Sequence, residues 1–173
     1  TPLARCTRGQ AADPLDNDFD YWHGDRLAIG CPIGAHVRRS NPRNALAAIP
    51  LGVSPERAQQ RANYHRILRR GRVYRHGDER GVVFLCLQAN IERQFEFVQH
   101  TWIGNGRFSG LDGETDPLVG DPSGGGRFTV RRGALPHRMD GLGRFVTVKA
   151  AEYFFLPSLS ALRCLTALSA LDA

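Results

Sequence analysis

The stretch Cys31-Pro32-Ile33-Gly34-Ala35-His36-Val37-Arg38-Arg39-Ser40-Asn41-Pro42-Arg43 holds the most chemistry for its length in this sequence. One histidine sits in a short apolar turn, and three arginines, Arg38, Arg39 and Arg43, follow it. A neutral imidazole is a ready metal ligand, and guanidiniums bind carboxylates in a planar, two-pronged geometry. The pattern suits a metal carried inside an anionic cofactor: the imidazole on the metal, the arginines on the acidic groups. Read alone, the same residues also describe a helix end whose histidine packs and whose arginines are solvated, and that is the plainer reading.

The chain has 173 residues, enough for one domain with a buried core, and 42% of them are apolar. No apolar run is long enough to span a bilayer. The chain starts at Thr1 rather than Met, which suggests a processed, trimmed or fragmentary polypeptide. Net charge is +6, from 23 Lys+Arg against 17 Asp+Glu, and almost all of the positive charge is arginine. That composition points to a partner rich in carboxylate or phosphate. Nucleic acid is one candidate, but it would call for exposed aromatics interleaved with the basic residues. Here Phe84, Phe95, Phe97, Phe154 and Phe155 fall in apolar runs that look like core. The cysteines (Cys6, Cys31, Cys86, Cys164) are widely spaced with no C-x-x-C pair, which argues against zinc. Cys86 and Cys164 lie in apolar runs and read as reduced core residues, as in a cytoplasmic protein.

The elements that must position these groups follow from periodicity. Residues 1–30 read as irregular, with a turn-rich acidic stretch from Asp13 to Asp20. Pro32 can start a helical turn and Asn41-Pro42 can end it. Ser54-Pro55-Glu56-Arg57 has the form of a cap and first helical turn inside a surface connection. The run from His65 to Tyr74 predicts a short strand entering a turn at Gly71. Gly81-Val82-Val83-Phe84-Leu85-Cys86-Leu87-Gln88 is the clearest strand, and its continuous apolar character predicts burial on both faces. Asn90 caps a predicted helix whose Ile91, Phe95, Val98 and Trp102 form a core-facing stripe. Phe128-Thr129-Val130 and Phe145-Val146-Thr147-Val148 predict two more strands, with a loop from Gly133 to Gly143 between them. A last helix carries Leu159, Leu162, Leu165 and Leu168. That order of elements predicts an α+β fold built on an antiparallel sheet.

Several blocks together resemble one family. The His36 stretch, Arg69-Arg70-Gly71-x-x-Tyr74, Glu79-Arg80-Gly81-x-x-Phe84-Leu85-Cys86, Ile91 to Gln99, Asp116-Pro117-Leu118-Val119-Gly120 and Tyr153 to Ser158 stand in the order found in dye-decolorising peroxidases. They cover roughly residues 14–168, and several independent motifs agree. The resemblance implies a ferredoxin-like α+β domain at residues 31–173, the haem-bearing C-terminal half of the family fold, behind an irregular segment at 1–30. It implies haem b as cofactor, hydrogen peroxide as oxidant, and dyes, phenols or other bulky organic molecules as reductants. It makes His36 the axial iron ligand, Arg39 and Arg43 the propionate contacts, and Phe84 a wall of the distal pocket. Arg69 becomes the distal arginine, with Arg70 as the alternative, and Asp116 the partner for the far nitrogen of His36. A carboxylate there fixes the ring and enriches the metal, and a distal guanidinium stabilises charge that develops as the O–O bond breaks.

One expected piece is missing from these 173 residues. The family's N-terminal domain carries a Gly-x-x-Asp-Gly motif whose aspartate handles the peroxide proton. Ser109-Gly110-Leu111-Asp112-Gly113 comes near it, but begins with Ser and lies after the histidine, so it reads as a turn. The resemblance therefore implies a partner, either a separate N-terminal domain chain or a second copy of this one, and no membrane. Three functions stay open: a peroxidase completed by that domain, a haem-binding module with little peroxide chemistry of its own, and an arginine-rich nucleic-acid-binding domain.

Overall fold

His36 stands at the head of a short helix, and the surrounding elements fix where that head points. The structure, a computed structural model, describes residues 20–169 apart from 124 and 134. A single helical turn, α1 (Tyr21–Gly24), is capped by the Asp20 side chain. The helix that carries the histidine, α2 (His36–Ser40), has Ala35 at its N-cap position without a side-chain cap, and ends at Asn41, whose backbone amide donates to the Val37 carbonyl. Pro42 follows and cannot continue the helix. Short 3₁₀ turns occupy Arg43–Leu46 and Ile49–Leu51. The next helix, α3 (Pro55–Asn63), starts as its sequence predicts, with Pro55 in the first turn and the Ser54 hydroxyl accepting from the Arg57 amide at 3.3 Å.

Two antiparallel hairpins supply the strands. The first joins β1 (Leu68–His76) to β2 (Glu79–Leu87) with His76 opposite Glu79. The chain therefore turns at Gly77-Asp78, where Gly77 has φ +60°, and not at the predicted Gly71, which lies inside the ladder opposite Phe84. The second joins β3 (Gly126–Arg132) to β4 (Leu135–Leu142). The fold is thus α+β with antiparallel sheets, as the element order predicts, but each described sheet has two strands. The predicted loop between Gly133 and Gly143 is mostly β4. The predicted strand at 145–148 makes no ladder, and its Phe145, Val146 and Val148 are exposed. A last helix, α4 (Leu159–Ser169), forms as predicted, with Leu159, Leu162 and Leu165 exposed.

The predicted helix after Asn90 is present, but as π-helical segments at Glu92–Glu96 and Val98–Ile103. Its hydrogen bonds reach five residues, as from Glu96 N to Ile91 O at 3.0 Å and Gly104 N to Gln99 O at 2.8 Å. Asn90 caps it by accepting from the Arg93 amide at 2.7 Å. The predicted stripe still turns inward: Val98 and Trp102 join Ala62, Ile103 and Phe108 in the apolar core, with Ile33, Leu46 and Phe97 against it.

The expectation that residues 1–30 are irregular is tested only from residue 20. Tyr21, Asp25 and Ala28 are buried, so this end packs into the scaffold. Asp25 accepts from the amides of Ile29, Gly30 and Cys31 at 2.8–3.0 Å, and its Oδ2 meets the buried Arg38 guanidinium at 3.2 Å. Arg38 also donates to the carbonyl of Cys31 and lies over the Tyr21 ring, 4.5 Å from its centroid.

Arg39 is fully buried. It donates to the carbonyl oxygens of Gly34, Trp102, Ile103, Asn105 and Glu114 at 2.6–3.3 Å. Those carbonyls belong to the turn before His36, the end of the π-helical segment and the run before Asp116. Replacing Arg39 by Ala should cost about 3–5 kcal/mol of stability, read from the shift in denaturant midpoint, because several buried carbonyls lose their donor at once. Arg39→Lys should recover only part of that loss, since an ammonium cannot reproduce the planar fork.

Candidate active site

His36 Nδ1 lies 2.9 Å from Asp116 Oδ2. The carboxylate side chain has no exposure, while the imidazole is 31% exposed. With Nδ1–H donating to the carboxylate, the ring is fixed in the tautomer that leaves the Nε2 lone pair outward. No other hydrogen bond engages the His36 ring among the described residues.

Asp116 is held as firmly as it holds. Its Oδ1 accepts from the amides of Leu118 and Val119, each at 2.9 Å, and its carbonyl accepts from Gly120 N at 3.0 Å. A Cβ at Gly120 would collide with the Asp116 carbonyl oxygen, so this turn requires glycine there. Burial alone would raise the Asp116 carboxyl, but the hydrogen bonds from His36, Val119 and Leu118 hold it below the usual aspartate range.

The sequence-predicted residues separate into those the fold joins and those it diverts. His36 and Asp116 meet directly. Arg39 does not serve as a propionate contact: its guanidinium is enclosed and bonded to backbone carbonyls, and Arg38 is likewise absorbed by Asp25. Arg43 keeps a half-buried position just after the helix, in a left-handed backbone conformation with φ +50°. Such a conformation is costly for a side-chain-bearing residue and re-aims the chain at the start of the 3₁₀ turn that follows α2.

Arg69 and Phe84 are exposed on the first hairpin. Arg69 pairs with Cys86 and Gly71 with Phe84. Residues directly opposite, and those two apart, share a face, so Arg69 and Phe84 lie on one side of the sheet. Arg70, opposite Leu85, lies on the other. Gly71 faces Phe84 with no side chain of its own. Among the described residues no hydrogen bond, ion pair or ring contact links this pair to His36 or Asp116. Phe84 instead meets Phe95 with ring centroids 6.3 Å apart.

The predicted burial of β2 on both faces is not realised: Val82, Val83, Phe84, Leu85 and Leu87 are 46–61% exposed. Among the described residues no further strand joins this two-stranded sheet and only Phe84 meets a ring from another element, so the apolar run remains largely open. Cys86 and Cys164, expected in the core, are half-buried and exposed. Ser109 to Gly113 forms a turn, as its sequence predicts, with Ser109 at φ +50°. His65 stacks on Phe97 at 3.7 Å and edges onto Trp102, so it belongs to the aromatic packing. Glu92 is exposed and Glu96 accepts from the Tyr153 hydroxyl.

Two buried carboxylates escape a reading of the sequence. Asp25 organises the loop before the histidine, and Glu114 accepts from the Thr129 amide at 2.9 Å and from the Thr129 hydroxyl. The run of arginines in the His36 stretch is a signal for Asp25, because a buried guanidinium demands an anion or several carbonyls.

No family model matches the chain. Individual proteins do. A multifunctional dye peroxidase of Amycolatopsis sp. is 32% identical over 190 aligned residues, covering 95% of this chain and 38% of that protein. A dye-decolorizing peroxidase of Exidia glandulosa is 32% identical, covering 94% of this chain and 34% of its own length. The chain is a homologue of the dye-decolorising peroxidases. The crystal structure of a DyP-type peroxidase from Anabaena sp. superposes with a TM-score of 0.63 at 30% identity, over 75% of this chain and 29% of that one. The α+β architecture with antiparallel strands is consistent with that fold. This homologue spans little more than a third of the curated dye-decolorising peroxidases it matches.

The His36–Asp116 pair makes stability depend on pH in a defined direction. A carboxyl depressed in the folded state contributes fully above its unfolded value, near 3.8, and the contribution is lost as pH falls below that value. Thermal melts of the wild type should therefore drop more steeply below about pH 4 than those of Asp116→Asn.

Proposed function

We propose that this chain is the haem-binding part of a dye-decolorising peroxidase that uses hydrogen peroxide to oxidise bulky organic reductants. The observation that carries the proposal is the His36 imidazole, oriented by a fully buried carboxylate at 2.9 Å with Nε2 left available. Metal-bound histidines typically show this arrangement. The donor set fits a haem: one neutral nitrogen on a carboxylate-anchored ring, with a cation, Arg43, placed just past the same helix. In this reading His36 Nε2 would hold the iron and Arg43 would meet a propionate. Bound haem b would supply the redox chemistry that splits peroxide and draws electrons from the reductant.

The remaining steps belong to the chain's own side chains. Asp116 keeps the Nδ1 proton on His36, because its carboxyl stays ionised down to low pH. Held in this way, the ring would remain a strong donor through Nε2. A guanidinium has donors and no acceptor, so Arg69 cannot take a proton from peroxide. It would hold the peroxide anion and stabilise negative charge on the departing oxygen. Phe84, on the same face, would shed water from that side of the sheet. The proton itself needs another acceptor, and the proposal assigns it to the aspartate of a Gly-x-x-Asp-Gly segment on a separate N-terminal domain chain. The open apolar faces of the first hairpin support a covering partner of this kind, and a second copy of the chain would compete for the same surface.

Haemin titration tests the first claim. The wild type should develop a Soret band that His36→Ala abolishes or shifts, and no band in the wild type would sink the haem reading. Peroxide turnover tests the second. Arg69→Ala should lower the rate by about 10²–10³-fold, the usual scale for losing one charge-stabilising donor, with Arg70→Ala near the wild type. Equal losses in both would remove the assignment to one face.

A further inference from the structure

Beside the π-helical segments lies a groove of about 830 Å³, open to solvent, with Phe95, Glu96, Gln99, His100, Gly106 and Tyr153 in its lining. It shares no lining residue with the His36–Asp116 pair or with Arg69 and Phe84. Phe95 and Tyr153 form its aromatic side, edge to face with centroids 6.2 Å apart. The Tyr153 hydroxyl donates to Glu96 Oε1 at 3.1 Å. Among the described residues no hydrogen bond engages Glu96 Oε2, and Glu96 is the one carboxylate in this lining.

We propose that this groove is the docking site of the organic reductant and that it selects planar aromatic molecules carrying positive charge, such as cationic aromatic amine dyes. The proposal rests on the peroxidase reading and adds the substrate class to it. Two aromatic faces favour a flat ring system, and they attract a cation through their π-electrons. A carboxylate at the groove edge adds a Coulombic preference of the same sign. The selectivity runs against the chain as a whole, whose net charge of +6 draws anions and repels cations. The position also suits an electron donor. Phe95 meets Tyr153 within the groove and Phe84 on the hairpin, so a docked ring sits one aromatic contact from the proposed distal wall.

Dye binding to the whole chain tests this, followed by fluorescence polarisation or calorimetry, with and without haemin. A cationic phenothiazine dye and a sulfonated, anionic anthraquinone dye serve as probes. The cationic dye should bind the wild type, and Glu96→Gln should weaken it about three- to fivefold while leaving the anionic dye unchanged. Tyr153→Phe, which keeps the ring, should bind the cationic dye at least as tightly as the wild type because it frees the carboxylate. On the unmutated chain, added salt should weaken cationic binding. If net charge governed instead, salt would strengthen it by screening repulsion. A stronger anionic than cationic affinity, no effect of Glu96→Gln, or salt-strengthened cationic binding would each overturn the proposal. Binding that behaves as expected in a chain that gives no Soret band would overturn the ligand's role as reductant and the peroxidase reading, while the groove's charge selectivity would stand.

Discussion

A single buried guanidinium holds the site's parts in register. Arg39 has no exposed surface and, among the described residues, no carboxylate within salt-bridge distance, so its charge is met by carbonyl dipoles from three separate segments. Burial pushes the guanidinium down from its ordinary value, and the nearby charges of Asp116 and Glu114 offset part of that cost. Two of the acceptors, Trp102 and Ile103, end the π-helical segment, where carbonyls lack intrahelical partners and carry the negative end of the helix dipole. Another, Glu114, stands two residues before Asp116. The distance between a histidine and a carboxylate eighty positions apart is thus set by one side chain that touches neither of them.

The fold is legible where local rules decide it. Ser54-Pro55 caps its helix, Asn90 caps the next, and Asn41-Pro42 stops α2, because capping and proline geometry act within a few residues. The stripe from Ile91 to Trp102 gives the right face even though the helix is π-helical, since inward periodicity tolerates a small change in pitch. Sequence reasoning fails where a contact has to come from elsewhere. It places the turn of Gly77 at Gly71, a glycine that serves to face Phe84 across the ladder. The apolar run of β2 predicts two covering layers, and nothing in the run itself says where those layers reside.

The site shows the same division. His36 with Asp116 is found through pattern, and the register then distinguishes Arg69 from Arg70 by putting only the former beside Phe84. Arg39 misleads because a motif arginine that binds a ligand and one that braces backbone look identical in sequence. What separates them is whether enough unsatisfied carbonyls converge on the side chain, and that depends on Trp102, Ile103, Asn105 and Glu114, far along the chain. Glu114 escapes for the complementary reason, since it satisfies the single partner Thr129 and leaves no spacing behind, while Asp25 is signalled only indirectly by the arginine it anchors.

The hairpin of β1 and β2 closes through a two-residue turn and a continuous register, so nearly all of its contacts are between near neighbours in sequence. Contacts so local cost little loop-closure entropy to make. The hairpin also presents exposed apolar residues and free strand edges among the described residues. Arg69, Arg70, Arg72, Arg75 and Arg80 stand along those strands, and like charges there oppose the pairing of one chain's edge with another's. The arginines that draw attention as possible ligands of an anion thus also act as guards during assembly. A change that improved the chemistry of the hairpin by removing one of them would be paid back in aggregates.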